Sequence, residues 1–180
     1  RGAAAGLQPW LPALMLSKSK CQNARQAAGE AVLDQAIENY AARTGRKLVG
    51  LETVAEQLGA MSSMSVENQA AFLVDSMRLG EQIEDMNETL VQLYINREVP
   101  ALLPFQAAYL KDNASAGSAE AGQEFIDALI VRRNHRMTER AEPLLRTGNT
   151  LIAIGALHLP GAEGLVELFR RKGFTVTPVE

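Results

Sequence analysis

The sequence predicts an α/β protein, rich in helix, with a small and mostly parallel sheet that carries a large inserted helical subdomain. Three observations predict this. The run Leu151, Ile152, Ala153, Ile154 is apolar and stops at Gly155, as a strand buried on both faces does. Pro160-Gly161, a helical pattern over residues 162–172, Gly173 and a strand-like run over 174–179 follow it. Strand, helix, strand at this length is a right-handed parallel crossover. A third short run, residues 47–51 (KLVGL), follows a helix and Gly45, which is the second half of a βαβ unit.

The elements follow in order. Trp10, Leu11, Leu14 and Met15 predict a helix over residues 8–24, with Pro9 and Pro12 in its first turn or so, where proline is tolerated. Val32, Leu33, Ala36, Ile37, Tyr40 and Ala41 recur at helical spacing over residues 29–44, and Gly45 sits just past the end. The strand 47–51 delivers Glu52. Thr53 then caps a short helix over 54–58, with Glu56 as its capping-box partner. Residues 65–113 are helical in pattern, with breaks expected at Gly80, Pro100 and Pro104, and 112–118 reads as a loop. A long helix is expected from 118 or 119 to 142, with Phe125, Ile126, Leu129, Met137 and Ala141 on its apolar face and Pro143 as kink or end.

The chain has 180 residues, 47% of them apolar and 22% charged, which suits one domain with a real core. We expect residues 1–180 to be that domain, with 60–117 as the helical insertion. The opening RGAAAG has no initiator Met and no signal peptide, so a fragment lacking N-terminal strands is expected. A net charge of −3, without a basic stripe, argues against nucleic acid as a partner. No apolar run reaches the roughly 18 residues of a membrane span. Cys21 is the only cysteine, so no internal disulfide can form.

Three positions, His158, Glu52 and Arg133, stand out for chemistry. His158 lies in a glycine-framed turn beyond the strand ending at Ile154, at the sheet edge where ligands bind in α/β folds. It is a ligand or acid/base group, or a hydrogen-bonded structural histidine. Gly155 would let the backbone approach a ligand or take positive φ, and Pro160 would hold the exit from the strand. Glu52 would emerge at the same edge; an imidazole and a carboxylate there suit a divalent metal or a general base. Alternatively Glu52 only favours the next helix through its dipole. Arg133 falls inside the apolar stripe of its helix, so it needs a partner, and Glu52 or a substrate carboxylate would serve. Asn134 lies at the stripe's margin and His135 points to solvent. The stretch HLPGAEG could start a helix that accepts an anion, although Glu163 in that turn opposes one.

The stretches KLVGLETVAEQL, RRNHRM and IGALHLPGAEGLVELFRRKGFTVTPV resemble the C-terminal part of the TraB/GumN family, related to the Tiki metalloproteases, over about residues 32–179. The resemblance implies an α/β fold with a helical insertion and a site at the sheet edge. Gly155-Ala-Leu-His158 matches the second of the family's two GxxH motifs, Glu52 its GLET glutamate, and Arg133-Asn134 its arginine-asparagine pair. The first GxxH has no counterpart in this sequence.

The resemblance implies a metal-dependent, peptidase-like hydrolase with a manganese- or cobalt-like divalent ion. His158 and Glu52 would be metal ligands; Glu52, His158 and Arg133 would be catalytic; Arg133, Asn134 and Gly155 would bind substrate, a peptide or small molecule. The alternative is a non-catalytic, envelope-associated module that binds or regulates a peptide. A bacterial envelope or periplasmic setting is expected, with the cytoplasm not excluded. A homo-oligomer, or a missing N-terminal segment, could complete the site.

Overall fold

A computed structural model describes residues 8–113 and 118–179. Among them every regular element is helical and none is a strand, which corrects the expected α/β fold. The three strand-like runs (residues 47–51, 151–154 and 174–179) are chain without regular structure. Leu48, Val49, Leu151 and Val179 are exposed, Leu151 to 82%. A strand is held by a partner's ladder and by cover on its faces; none of these runs has a ladder partner among the described residues, so apolar content alone does not make them strands.

The helices are α1 (Trp10–Leu16), α2 (Lys20–Ala27), α3 (Leu33–Arg43), α4 (Val54–Ser62), α5 (Val66–Leu79), α6 (Gln82–Ile95), α7 (Leu102–Asn113), α8 (Ser118–Ile126), α9 (Arg132–Thr147) and α10 (Leu165–Arg171). The first expected helix is split in two, because Ser19 caps α2 by accepting from Gln22 N–H at 3.0 Å. Thr53 and Glu56 form the expected capping box, with bonds of 2.8 and 3.2 Å. Gly80, at φ +44°, separates α5 from α6, and Pro100 lies in a 3₁₀ turn before α7. Pro104 does not break the chain: it sits in the first turn of α7, where no N–H is missed. The loop expected at 112–118 and the opening RGAAAG fall largely outside the described residues.

Helices α8 and α9 are joined through a π-helical turn, Asp127–Val131, into one rod that runs through Pro143 to Thr147. Helix α5 packs on α1 and α8, α4 on the π turn, and α10 on α9. Ala13, Met61, Leu79, Ile83, Ala128, Met137, Ala141 and Leu165 are among the buried apolar residues. The buried face of α9 is Asn134, Met137, Thr138 and Ala141, set against Leu165 and Leu168 of α10. Among the described residues no helix is long and apolar enough to cross a membrane.

Candidate functional site

Two adjacent residues at the start of α9 organise the site. Arg133 reaches Glu52, donating from Nε at 3.1 and 3.0 Å and from NH2 at 2.8 Å, while NH1 donates to Leu129 O at 3.1 Å. The Glu52 side chain is only 3% exposed. Such a fork on a buried carboxylate fixes both groups at once. Asn134 is fully buried and turns the other way. Its amide nitrogen donates to Glu163 O at 2.7 Å and His158 O at 3.3 Å. Its Oδ1 therefore faces His158 Nδ1, 2.6 Å away.

That arrangement assigns the tautomer. An amide oxygen only accepts, so Nδ1 of His158 carries the proton and Nε2 keeps its lone pair. Among the described residues Nε2 has no hydrogen-bond partner, nor is it sealed from solvent. Burial, helped by the Arg133 charge and opposed by Glu52, pushes the imidazole pKa down to about 4. At neutral pH His158 is an uncharged ring that presents one electron pair.

The surrounding turn is built for this. Residues Ala156–His158 form a 3₁₀ turn in which His158 N–H donates to Gly155 O at 3.0 Å. Gly155 has φ −61°, and a Cβ there would lie 3.7 Å from His158 Cδ2. Its expected special conformation is thus absent: any residue could adopt this backbone. The glycine that sterics demand is Gly164, where a Cβ would collide with the carbonyl oxygens of Leu159 and Pro160. The expected anion-accepting helix start is also corrected. Helix α10 begins only at Leu165, and Glu163 stands before it, hydrogen-bonded to His135 at 2.6 Å and ion-paired with Arg171 at 3.4 Å.

Glu52 and His158 do not reach one pocket from two parallel strands, as neither strand forms. They are gathered by neighbouring positions on α9, Glu52 through Arg133 and His158 through Asn134. Sequence spacing put Arg133 inside the apolar stripe and Asn134 at its margin; the structure reverses them. The π turn adds a residue to the helical repeat just upstream, which rotates the face that follows it. His135 is half-exposed, near the solvated position expected of it, though paired with Glu163.

Arg136 and Arg140, one and two turns on from Arg133, were not singled out by the sequence. Arg140 holds Glu56 with bonds of 2.8 and 2.7 Å and caps Leu51 O at 2.9 Å. It keeps the Glu56 carboxyl far below its ordinary pKa range. Arginines at i, i+3 and i+7 facing Glu52 and Glu56 were a legible signal, since such positions share a helix face.

As metal ligands the two expected residues differ. His158 fits: a neutral ring whose other nitrogen is held by a hydrogen bond is how histidine ligands are usually set. Glu52 does not fit, because both its oxygens are taken by Arg133, and a cation there would meet the Arg133 and Arg136 guanidinium groups. Among the described residues no group of three or more His, Cys, Asp or Glu stands where it could hold a metal ion.

The architecture defines the class: a helical protein whose site is an arginine-asparagine pair on one helix, each side chain locking a residue from a distant turn. The chain belongs to the TraB/PrgY/gumN family, which it matches over residues 2–178. No curated protein and no solved structure matches it.

Proposed function

We propose that the chain is the His158-bearing part of a TraB/GumN-type, peptidase-like hydrolase. The observation that supports this best is the Asn134-held imidazole with its Nε2 electron pair free. Its low pKa keeps protons from competing for that pair at neutral pH. Asn134 holds the ring's orientation and would stabilise an Nδ1–H as charge develops on the ring. Arg133 keeps unspent N–H groups and is 19% exposed, so it can present positive charge to a substrate carbonyl or carboxylate.

A manganese- or cobalt-like ion would be held through His158 together with donors from beyond the described residues, and would supply a Lewis acid and an activated water. One imidazole does not hold a divalent ion alone. The proposed setting is the bacterial cell envelope or periplasm, on the family likeness.

One observation favours a second reading, a non-catalytic peptide-binding or regulatory module. Glu52 is spent on Arg133, so it is no free general base. Titration with Mn²⁺, read as paramagnetic broadening of the imidazole signals, separates the two. Saturable broadening of the His158 imidazole at Mn²⁺ concentrations that leave the His135 imidazole sharp, with Mn²⁺-dependent cleavage of a peptide library that is lost in His158→Ala, supports the hydrolase. Peptide binding without cleavage or broadening supports the module.

A further inference from the structure

One arginine of the cluster is left without a hydrogen bond. Arg136 NH1 stands 3.6 Å from Glu52 Oε1, and its Nε 3.8 Å from Glu56 Oε1, both beyond hydrogen-bond reach. The flanking arginines spend most of their donors inside the protein, Arg133 on Glu52 and Leu129 O, Arg140 on Glu56 and Leu51 O. Arg136 thus keeps its whole donor fork unspent among the described residues, on a side chain that is 36% exposed.

That fork opens on a cleft of about 210 Å³ between α4 and the start of α9. Arg132, Arg133 and Arg136 line one side, and Gly59 and Ala60 give the α4 side little bulk. Nothing lies within 4 Å of where a Gly59 Cβ would be. The carboxylate that lines the cleft, Glu56, is already neutralised by the two-point bond from Arg140. Three guanidinium groups stand at one wall, and Arg136, in ion-pair range of Glu52 and Glu56 but hydrogen-bonded to neither, keeps its donors available to a ligand that can reach them.

We infer that this cleft is an oxyanion site, taking a carboxylate or phosphate group in the Arg136 fork. A planar guanidinium matches two oxygens of such a group at once, which a lone ammonium does not. Arg132 adds charge although its Nε is bonded to Asp127 at 2.9 Å. The site needs no chemistry at His158, so it stands or falls apart from the hydrolase reading.

The test is a calorimetric titration of the whole chain and of both variants at fixed ionic strength, with the Arg136 Nε–H NMR signal of the unsubstituted protein reporting where the probe binds. The probes are inorganic phosphate, tri-alanine with a free C-terminus, and tri-alanine amide. The expected result is a saturable shift with phosphate or free tri-alanine and none with the amide. Arg136→Gln should weaken binding by about tenfold or more, and Arg136→Lys, which keeps the charge but loses the fork, by roughly threefold. Preference for tri-alanine identifies a carboxylate ligand, and preference for phosphate a phosphorylated one. No saturable shift with either anion, or equal affinity in all three proteins, overturns the site. Binding of tri-alanine without peptide cleavage would keep the site and sink the hydrolase reading; cleavage with no shift at Arg136 would do the reverse.

Discussion

Asn134 Oδ1 lies 2.6 Å from His158 Nδ1, and the amide's other end is pinned by two backbone carbonyls. One buried side chain thereby sets the ring's orientation and its tautomer. It also holds the turn carrying the histidine against α9, since both carbonyls belong to residues 158–163.

This pair has a pH signature. His158 titrates near 4 in the folded chain, below its ordinary 6.5, so between these values the unfolded chain binds the extra proton. Stability is therefore full above about pH 6.5 and falls as pH drops towards 4, by up to about 3 kcal/mol from this group. Urea unfolding at a series of pH values should show that loss, and His158→Gln should flatten it. Asn134→Asp should raise the His158 pKa by placing a carboxylate on Nδ1–H, which imidazole NMR signals would report. The same change strands two carbonyls and should cost roughly 2 kcal/mol.

The two glycines of the GxxH turn and its exit should behave oppositely. Gly164→Ala drives a methyl into the Leu159 and Pro160 carbonyls and should cost about 2–3 kcal/mol. Gly155→Ala meets only an ordinary contact with the His158 ring and should stay within about 1 kcal/mol. Thermal melts of the two variants check this. Equal Tm losses would mean that the motif's first glycine is needed for a shape this turn does not show.

Helices were readable where their own residues carry the cause. Thr53 and Glu56 close a capping box, Gly80 ends α5 with positive φ, and Pro104 fits a first turn. Strands were not readable, because their cause lies in a partner. The run at 151–154 looks like buried sheet by composition, yet Leu151 is almost wholly exposed and no ladder among the described residues meets it. At the site, the sequence exposed Glu52, Arg133, Asn134 and His158 and offered Glu52 as a partner for Arg133, which the structure bears out, but not the pairing of Asn134 with His158. That depends on a π turn one residue upstream of α9, which no apolar periodicity announces.

The N-terminus of α4 carries a prediction of its own. Thr53 Oγ1 accepts from Glu56 N–H, and Thr53 N–H is capped by the same carboxylate that Arg140 grips. Thr53→Ala should cost about 1 kcal/mol. It should also loosen Glu56 on Arg140, linking the α4 start to α9. Hydrogen exchange at the first turn of α4 should rise in both Thr53→Ala and Arg140→Gln; a rise in the first alone would show that the two contacts are independent.

The Glu52–Arg133 pair separates structure from substrate handling. Both side chains are largely buried and mutually satisfied, so removing one strands the other. Glu52→Gln and Arg133→Met should each cost about 2–3 kcal/mol, a value below that of a sealed pair because Arg133 is partly wet. Glu52→Leu with Arg133→Met removes both charges, and the double variant should recover much of the loss, since no buried ion is left uncompensated. If Arg133 serves only to hold Glu52, the double variant regains peptide binding or cleavage together with its stability. If Arg133 also contacts substrate, as its exposed edge allows, stability returns while KM for a peptide stays raised. Denaturant unfolding and steady-state kinetics on the same three proteins read the two outcomes separately.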